Sequence, residues 1–218
     1  MKYAVLSVIA LALAGCIEER PLQSTAVNDA CTPSLPATYD AEIPNDGSHD
    51  KELLARAILA YTNAERCRAD VAPLQYDGNA FRAAQSHSDD MARLDFFDHQ
   101  SPVPGREQLI DRVSATGARF LRARENILTG FYVDYTSGVE YRTLDEANCE
   151  FTYGGRTGLI PRHTYATLAR SAVASWEQSD GHRRNMLADD VTRHGAGITP
   201  TGKTQLCGEF TATQVLLQ

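Results

Sequence analysis

This 218-residue chain has no long apolar run, no excess of basic charge, no closely spaced cysteine pair and no hydrolase signature. Each absence removes a class of function. The apolar stretch 4–14 is broken by Ser7 and falls short of the roughly 20 residues that cross a bilayer. Lysine and arginine number 21 against 28 acids, a formal net charge of −7. A phosphate backbone calls for a basic face, so nucleic acid is excluded as a partner. Charge alone would not hold the chain on an anionic membrane either. No C-x-x-C spacing occurs, which disfavours a structural zinc site. Neither HExxH nor GxSxG is present, so the helical zinc-protease motif and the nucleophile elbow are both missing. There is no internal repeat and no sign of a second domain.

What is present begins with a leader. Lys2 precedes the short apolar run, which has the build of a signal-peptide h-region and ends in Leu13-Ala14-Gly15-Cys16. Small residues before a cysteine resemble the lipobox of bacterial lipoproteins, and that resemblance implies cleavage after residue 15 and acylation of Cys16. The alternative is an ordinary secretory peptide with an incidental cysteine. Two or more acyl chains hold a protein stably on a membrane, where one holds it only marginally. Ile17, rather than aspartate, follows Cys16. This favours the outer membrane over retention at the inner one. An exported context permits disulfides. Setting Cys16 aside leaves Cys31, Cys67, Cys149 and Cys207, which allow three pairings.

Residues 16–48 follow as an acylated tether. They are rich in Pro, Ser, Thr, Asn and Asp, with Pro21, Pro33, Pro36 and Pro44 breaking any helix. Residues 49–218 form the folded unit. Asp50 is placed to cap a helix carrying Leu54, Ile58 and Tyr61 on one face. Asp77 is placed to cap a second, with Ala80, Ala84, His87 and Met91 in line. A short third helix carries Leu109, Ile110 and Val113 and ends at Gly117, and residues 126–133 read as a strand. Residues 134–160 suit a hairpin or an irregular insertion, with a turn at Gly154-Gly155. Leu168, Ala172 and Trp176 sketch another helix. Residues 194–199 and 206–215 read as closing strands joined at Thr201-Gly202. Helices early and strands late predict an α+β sandwich.

Several short motifs fall in one order. Asn63-Ala64-Glu65-Arg66 is followed by Pro73-Leu74, then by Ala84-Gln85-Ser86-His87-Ser88-Asp89-Asp90-Met91-Ala92. Phe96-Phe97-Asp98-His99 and Arg124-Glu125-Asn126-Ile127 come next. Ala172-Val173-Ala174-Ser175-Trp176 then leads into Ser179-Asp180-Gly181-His182-Arg183-Arg184-Asn185-Met186-Leu187. The ordered set resembles the bacterial, SCP-like branch of the CAP superfamily, which includes cysteine-rich secretory proteins, antigen 5 and plant pathogenesis-related proteins. The resemblance covers about residues 50–216. It implies a CAP-type α-β-α sandwich with a central antiparallel sheet. It also implies a surface cleft lined by two histidines and one or two acids. His99, Glu125 and His182 match those positions. The second acid of the fuller set is absent from its usual offset after Trp176, leaving Glu177 and Asp180 as weaker candidates.

Two imidazoles and a carboxylate are able to hold a divalent metal such as Zn²⁺ with an open position. The same groups suit acid–base chemistry, because imidazole titrates near neutral pH. As isolated residues, His99 reads equally as a loop or helix-end residue and His182 as one packed against Trp176. His87 lies on the apolar stripe of its helix, as a core or cleft-edge residue. Asn126 and Asn185 suit hydrogen-bonded brackets, with Asn126 fixing the Glu125 backbone. Three functions compete. The first is a non-enzymatic binding module outside the cytoplasm, with a lipid, a protein or an envelope component as partner and the membrane reached through Cys16. The second is a metal-assisted or serine-type hydrolase, although Ser86, Ser101 and Ser179 lack a nucleophile context. The third is a structural envelope protein with a vestigial cleft.

Overall fold

The computed structural model describes residues 31–218. The leader 1–15, Cys16 and the tether as far as residue 30 lie outside the described residues. Helix α1, Lys51–Arg68, starts where the Asp50 side chain accepts from the Leu53 N–H, and it buries Leu54, Ala57 and Ile58. The two-residue strand β1, Gln75–Tyr76, leads into α2, Gly78–Leu94. Asp77 caps α2 through the N–H groups of Asn79 and Ala80, and Asp95 closes it in the left-handed conformation at φ 51°. Helix α3 is Leu109–Ala115 and strand β2 is Ala123–Phe131. The hairpin β3, Tyr141–Asp145, and β4, Glu150–Tyr153, stands apart from the main sheet. Thr164 caps α4, Tyr165–Glu177, and α5, Asp180–Met186, follows at once. Strands β5, Arg193–Pro200, and β6, Glu209–Leu217, complete the fold.

The main sheet has the order β1-β5-β6-β2. Its β5-β6 and β6-β2 pairs are antiparallel, with Glu125 opposite Val215 and Asn126 opposite Gln214. Only the edge pair β1-β5 is parallel, a detail that the expectation of an antiparallel sheet did not include. Ala80, Ala83 and Ala84 of α2 pack with Val113 of α3 on Val215 and Leu217. The other face is covered by α1 and α4, with Leu54, Ile58, Leu168 and Trp176 against Ile198, Phe210 and Ala212. The α-β-α sandwich is therefore present. Helix α2 lies unusually close to β5. A methyl group on Gly197 would stand 2.3 Å from the Cα of Gln85, so only glycine fits there.

Several boundaries differ from the sequence reading. Strand β2 starts at Ala123 rather than 126, because Ala123, Arg124 and Glu125 already pair with Leu217, Leu216 and Val215 of β6. The hairpin turns at residues 145–150, and Gly154-Gly155 forms a later turn after β4. Leu206 belongs to a 3-10 turn, Gln205–Cys207, with Leu206 and Cys207 at positive φ, so β6 begins only at Glu209. The disulfides are Cys31–Cys67 and Cys149–Cys207. The first draws the end of the expected tether onto the domain. Between Cys31 and Ser48 the chain is anchored at points, with Tyr39 and Ile43 buried and the Ile43 N–H donating to the His163 carbonyl at 2.9 Å.

Candidate ligand cleft

The centre of the site is Glu125, which β2 points toward α2 and α3, with its carboxylate 96% shielded from solvent. An isolated carboxylate at such depth would take up a proton. Here Arg112, wholly buried on α3, donates from Nη2 to both oxygens at 2.9 and 2.7 Å. The same guanidinium bonds the carbonyls of Arg106, Glu107 and His99, which fixes the loop that carries His99. His99 Nδ1 donates to Glu125 Oε1 at 2.9 Å while its ring remains about half exposed. His87 lies fully buried beneath, its Nε2 3.0 Å from the Asp98 carbonyl and 3.9 Å from Glu125 Oε1.

The titration behaviour follows from this geometry. Burial pushes the Glu125 carboxyl up, but the His99 hydrogen bond and the Arg112 charge together hold it below the ordinary range. The Glu125 hydrogen bond raises His99 above an ordinary histidine. Burial lowers His87. Burial, and then the like charge of His99, lower His182. One imidazole is thus favoured as a cation and its neighbour as a neutral ring.

His182 sits near the start of α5, held to β2 by two asparagines. Asn126 Nδ2 donates to the His182 carbonyl at 3.1 Å. Asn185 Nδ2 donates to the Glu125 carbonyl at 3.1 Å and to Asn126 Oδ1 at 2.9 Å. Behind them Asn126 meets Gln214, whose amide reaches Thr62 on α1 and the buried His194. The brackets expected of Asn126 and Asn185 are therefore present, with Asn185 rather than Asn126 holding the Glu125 carbonyl. Arg66 is buried and bonds the carbonyls of Ala72, Met186 and Ala188, tying α1 to the end of α5.

The remaining candidates fall elsewhere. Glu177 makes a surface ion pair with Arg183 at 3.1 Å, and Asp180 opens α5 at the exposed surface. Ser86 Oγ donates to the Ala83 carbonyl, and buried Ser101 accepts from the Val103 N–H. Sequence reasoning missed Arg112. Its signal was an arginine in register with Leu109 and Val113 on a short helix, where a core-facing residue was due.

The donor set does not fit a transition-metal site. Among the described residues, no group of three or more His, Cys, Asp or Glu is disposed to hold a metal ion. The physical reason is Arg112, whose cation lies within hydrogen-bond distance of both Glu125 oxygens. His99 and His182 alone would remain, fewer than the three protein ligands that zinc requires. The zinc reading of His99, Glu125 and His182 therefore rests on the family resemblance alone. A hollow of about 490 Å³ lies away from the cluster, between Asn45, Glu146, Cys149 and Lys203.

Known proteins resemble the chain in sequence and in fold. A sequence profile described as "CAP: Cysteine-rich secretory protein family" matches residues 59–216. Two curated relatives come from Bacillus subtilis (strain 168). The uncharacterized protein YkwD is 28% identical over 147 residues, covering 67% of this chain and 43% of its own. The uncharacterized membrane protein YlbC is 28% identical over 150 residues, covering 69% of this chain and 33% of its own. The chain thus spans less than half the length of these relatives. A solved extracellular protein containing a SCP domain, from Bacillus anthracis str. Ames, matches with TM-score 0.54 and 22% identity. That match covers 82% of this chain and 44% of the other, and it supports the fold.

Proposed function

Since the chain belongs to the cysteine-rich secretory protein (CAP) family, we propose that its domain acts outside the cytoplasm as a non-enzymatic binding module. The ligand site of this reading is the cleft of His99, Glu125 and His182. The observation that carries it is the capture of Glu125. Both carboxylate oxygens are engaged by Arg112, and one is shared with His99. Such an acid orients an imidazole and balances a buried cation, but it is not free to shuttle protons to a substrate. The cleft then offers an outward-facing His99 edge, whose protonated form the Glu125 hydrogen bond favours, together with His182, whose protonated form burial disfavours. That pairing suits a small ligand bearing an anionic or hydrogen-bond-accepting group.

Two disulfides support a location in an oxidising compartment. Acylation of Cys16 and outer-membrane placement are part of the same proposal, and the lipobox-like run supports them. Membrane fractionation of the wild type and Cys16→Ser tests them, and release of the variant into the soluble fraction is the expected result. The enzymatic alternative is tested by turnover of casein, peptidoglycan and lipid esters by the full-length protein, with and without chelator. A wild type indistinguishable from a His99→Ala, His182→Ala double variant supports binding. Turnover that the double variant loses would overturn it.

A further inference from the structure

Between strand β2 and helix α4 lies a hollow of about 210 Å³. Its walls combine two kinds of side chain. Leu128, Phe131, Tyr135 and Phe210 are apolar or aromatic, whereas Ser137, His163, Ser171 and Ser175 are polar. A carbon added to Gly130 would stand 2.6 Å from Cζ of Phe210, so glycine leaves room for that ring. Phe131 and Tyr135 meet edge to face with centroids 5.8 Å apart, which fixes the aromatic wall.

His163 is only 3% exposed, and both of its backbone groups are engaged. Its N–H donates to the Tyr132 carbonyl, and its carbonyl accepts from the Ile43 N–H, each at 2.9 Å. Its ring Nδ1 lies 3.1 Å from the Thr167 hydroxyl. Among the described residues its Nε2 has no hydrogen-bond partner, yet that atom is not sealed off from solvent. Its outlet is the hollow that the ring lines. Burial favours the neutral ring, and the charges that act on it, Asp134 and Arg170, are of opposite sign. Helix α4 carries Thr167, Ser171 and Ser175 at four-residue intervals, hence on one face. Thr167 is engaged by the Thr164 N–H and by His163. The hydroxyls of Ser137, Ser171 and Ser175 make no hydrogen bond among the described residues.

We propose that this hollow binds one uncharged sugar ring, with ring hydroxyls on Ser171, Ser175 and His163 Nε2 and a C–H face on the aromatic wall. The donor set selects this chemistry. A serine hydroxyl both donates and accepts, as a sugar hydroxyl does, so the two satisfy each other in either direction. An anion would call for a cationic side chain and an ammonium for a carboxylate, and the eight side chains named above supply neither. A wholly apolar ligand would cover the buried His163 Nε2 and leave it unpaired. The volume lies below the roughly 300–1,000 Å³ of sites for drug-sized ligands, which suits a single ring. The site shares no residue with the histidine cleft and stands whether or not that cleft binds a ligand.

The test titrates methyl glucopyranoside, methyl galactopyranoside and N-acetylglucosamine, separately, into the ¹⁵N-labelled full-length protein. Sorbitol, glucuronate and glucosamine serve as open-chain, anionic and cationic counterparts. The expected result is a saturable shift of the His163 ring nitrogens and of the Ser171 and Ser175 amides with at least one of the three uncharged rings, and none with the counterparts. His163→Asn keeps a polar atom near Thr167 and removes the one that faces the hollow. Ser175→Trp, at an exposed position of α4, fills the hollow. Each variant should weaken binding about tenfold. If His163→Asn fails to fold, Ser175→Trp still decides. No shift of these groups with any of the three rings at tens of millimolar, or shifts confined to other residues, would overturn the proposal. So would binding unchanged in Ser175→Trp. Equal binding of sorbitol would overturn the assignment of a ring, and tighter binding of glucuronate or glucosamine that of an uncharged ligand.

Discussion

Replacing Arg112 by methionine removes the one full-time cation beside a carboxylate that is 96% shielded. The two oxygens lose donors at 2.9 and 2.7 Å, and His99 is left as the sole hydrogen-bonding partner. Breaking a buried ion pair from one side costs about 3–5 kcal/mol, because the remaining charge stays buried. For a domain of this size, that lowers Tm by roughly 6–20 °C. The loss should depend on pH. In the wild type the Glu125 carboxyl lies below its unfolded value, so its contribution is present above the unfolded pKa and fades as pH falls through the folded one. In the variant, burial dominates and raises the folded value above the unfolded one, so the variant loses further stability as pH rises. The gap between the two proteins therefore widens from pH 4 upward. Urea unfolding at pH 4.5 and 7.5 measures it, and the same substitution in a Glu125→Leu background should cost much less. A loss under 1 kcal/mol at pH 7.5, or an equal loss in both backgrounds, would refute the account of the site.

Two further outcomes follow. Zinc titration by calorimetry at pH 7 should give the same heat for the wild type and the His99→Ala, His182→Ala variant. A saturable one-to-one heat lost in the variant would show a metal site. Gly197→Ala should cost about 3 kcal/mol or more by urea unfolding, since the added carbon meets the α2 backbone at 2.3 Å rather than a movable side chain.

The ends of the early helices were legible because their signals are local. Asp50 and Asp77 stand at caps, and their side chains do accept the expected N–H groups. The closing strands were legible from their composition, but the start of β6 was not. Leu206 looks like a strand residue, yet the turn beside the Cys149–Cys207 link holds it at φ 49°. The cluster could be named only from ordered motifs, because His99, Glu125 and His182 sit on a loop, a strand and a helix. Its charge balance was not legible for one reason. Arg112 carries no motif, and only folding brings it under Glu125, where the two form a buried ion pair. Residues 31–48 read as tether because their composition is polar, but a disulfide and two buried apolar side chains outweigh composition there.

The most direct measurement of the central claim is an NMR titration of the histidine rings in the wild type and in Glu125→Gln. The account predicts that His99 titrates above an ordinary histidine in the wild type, falls when the carboxylate is removed, and lies above His182. A His99 midpoint indifferent to Glu125→Gln, or one below that of His182, would contradict it.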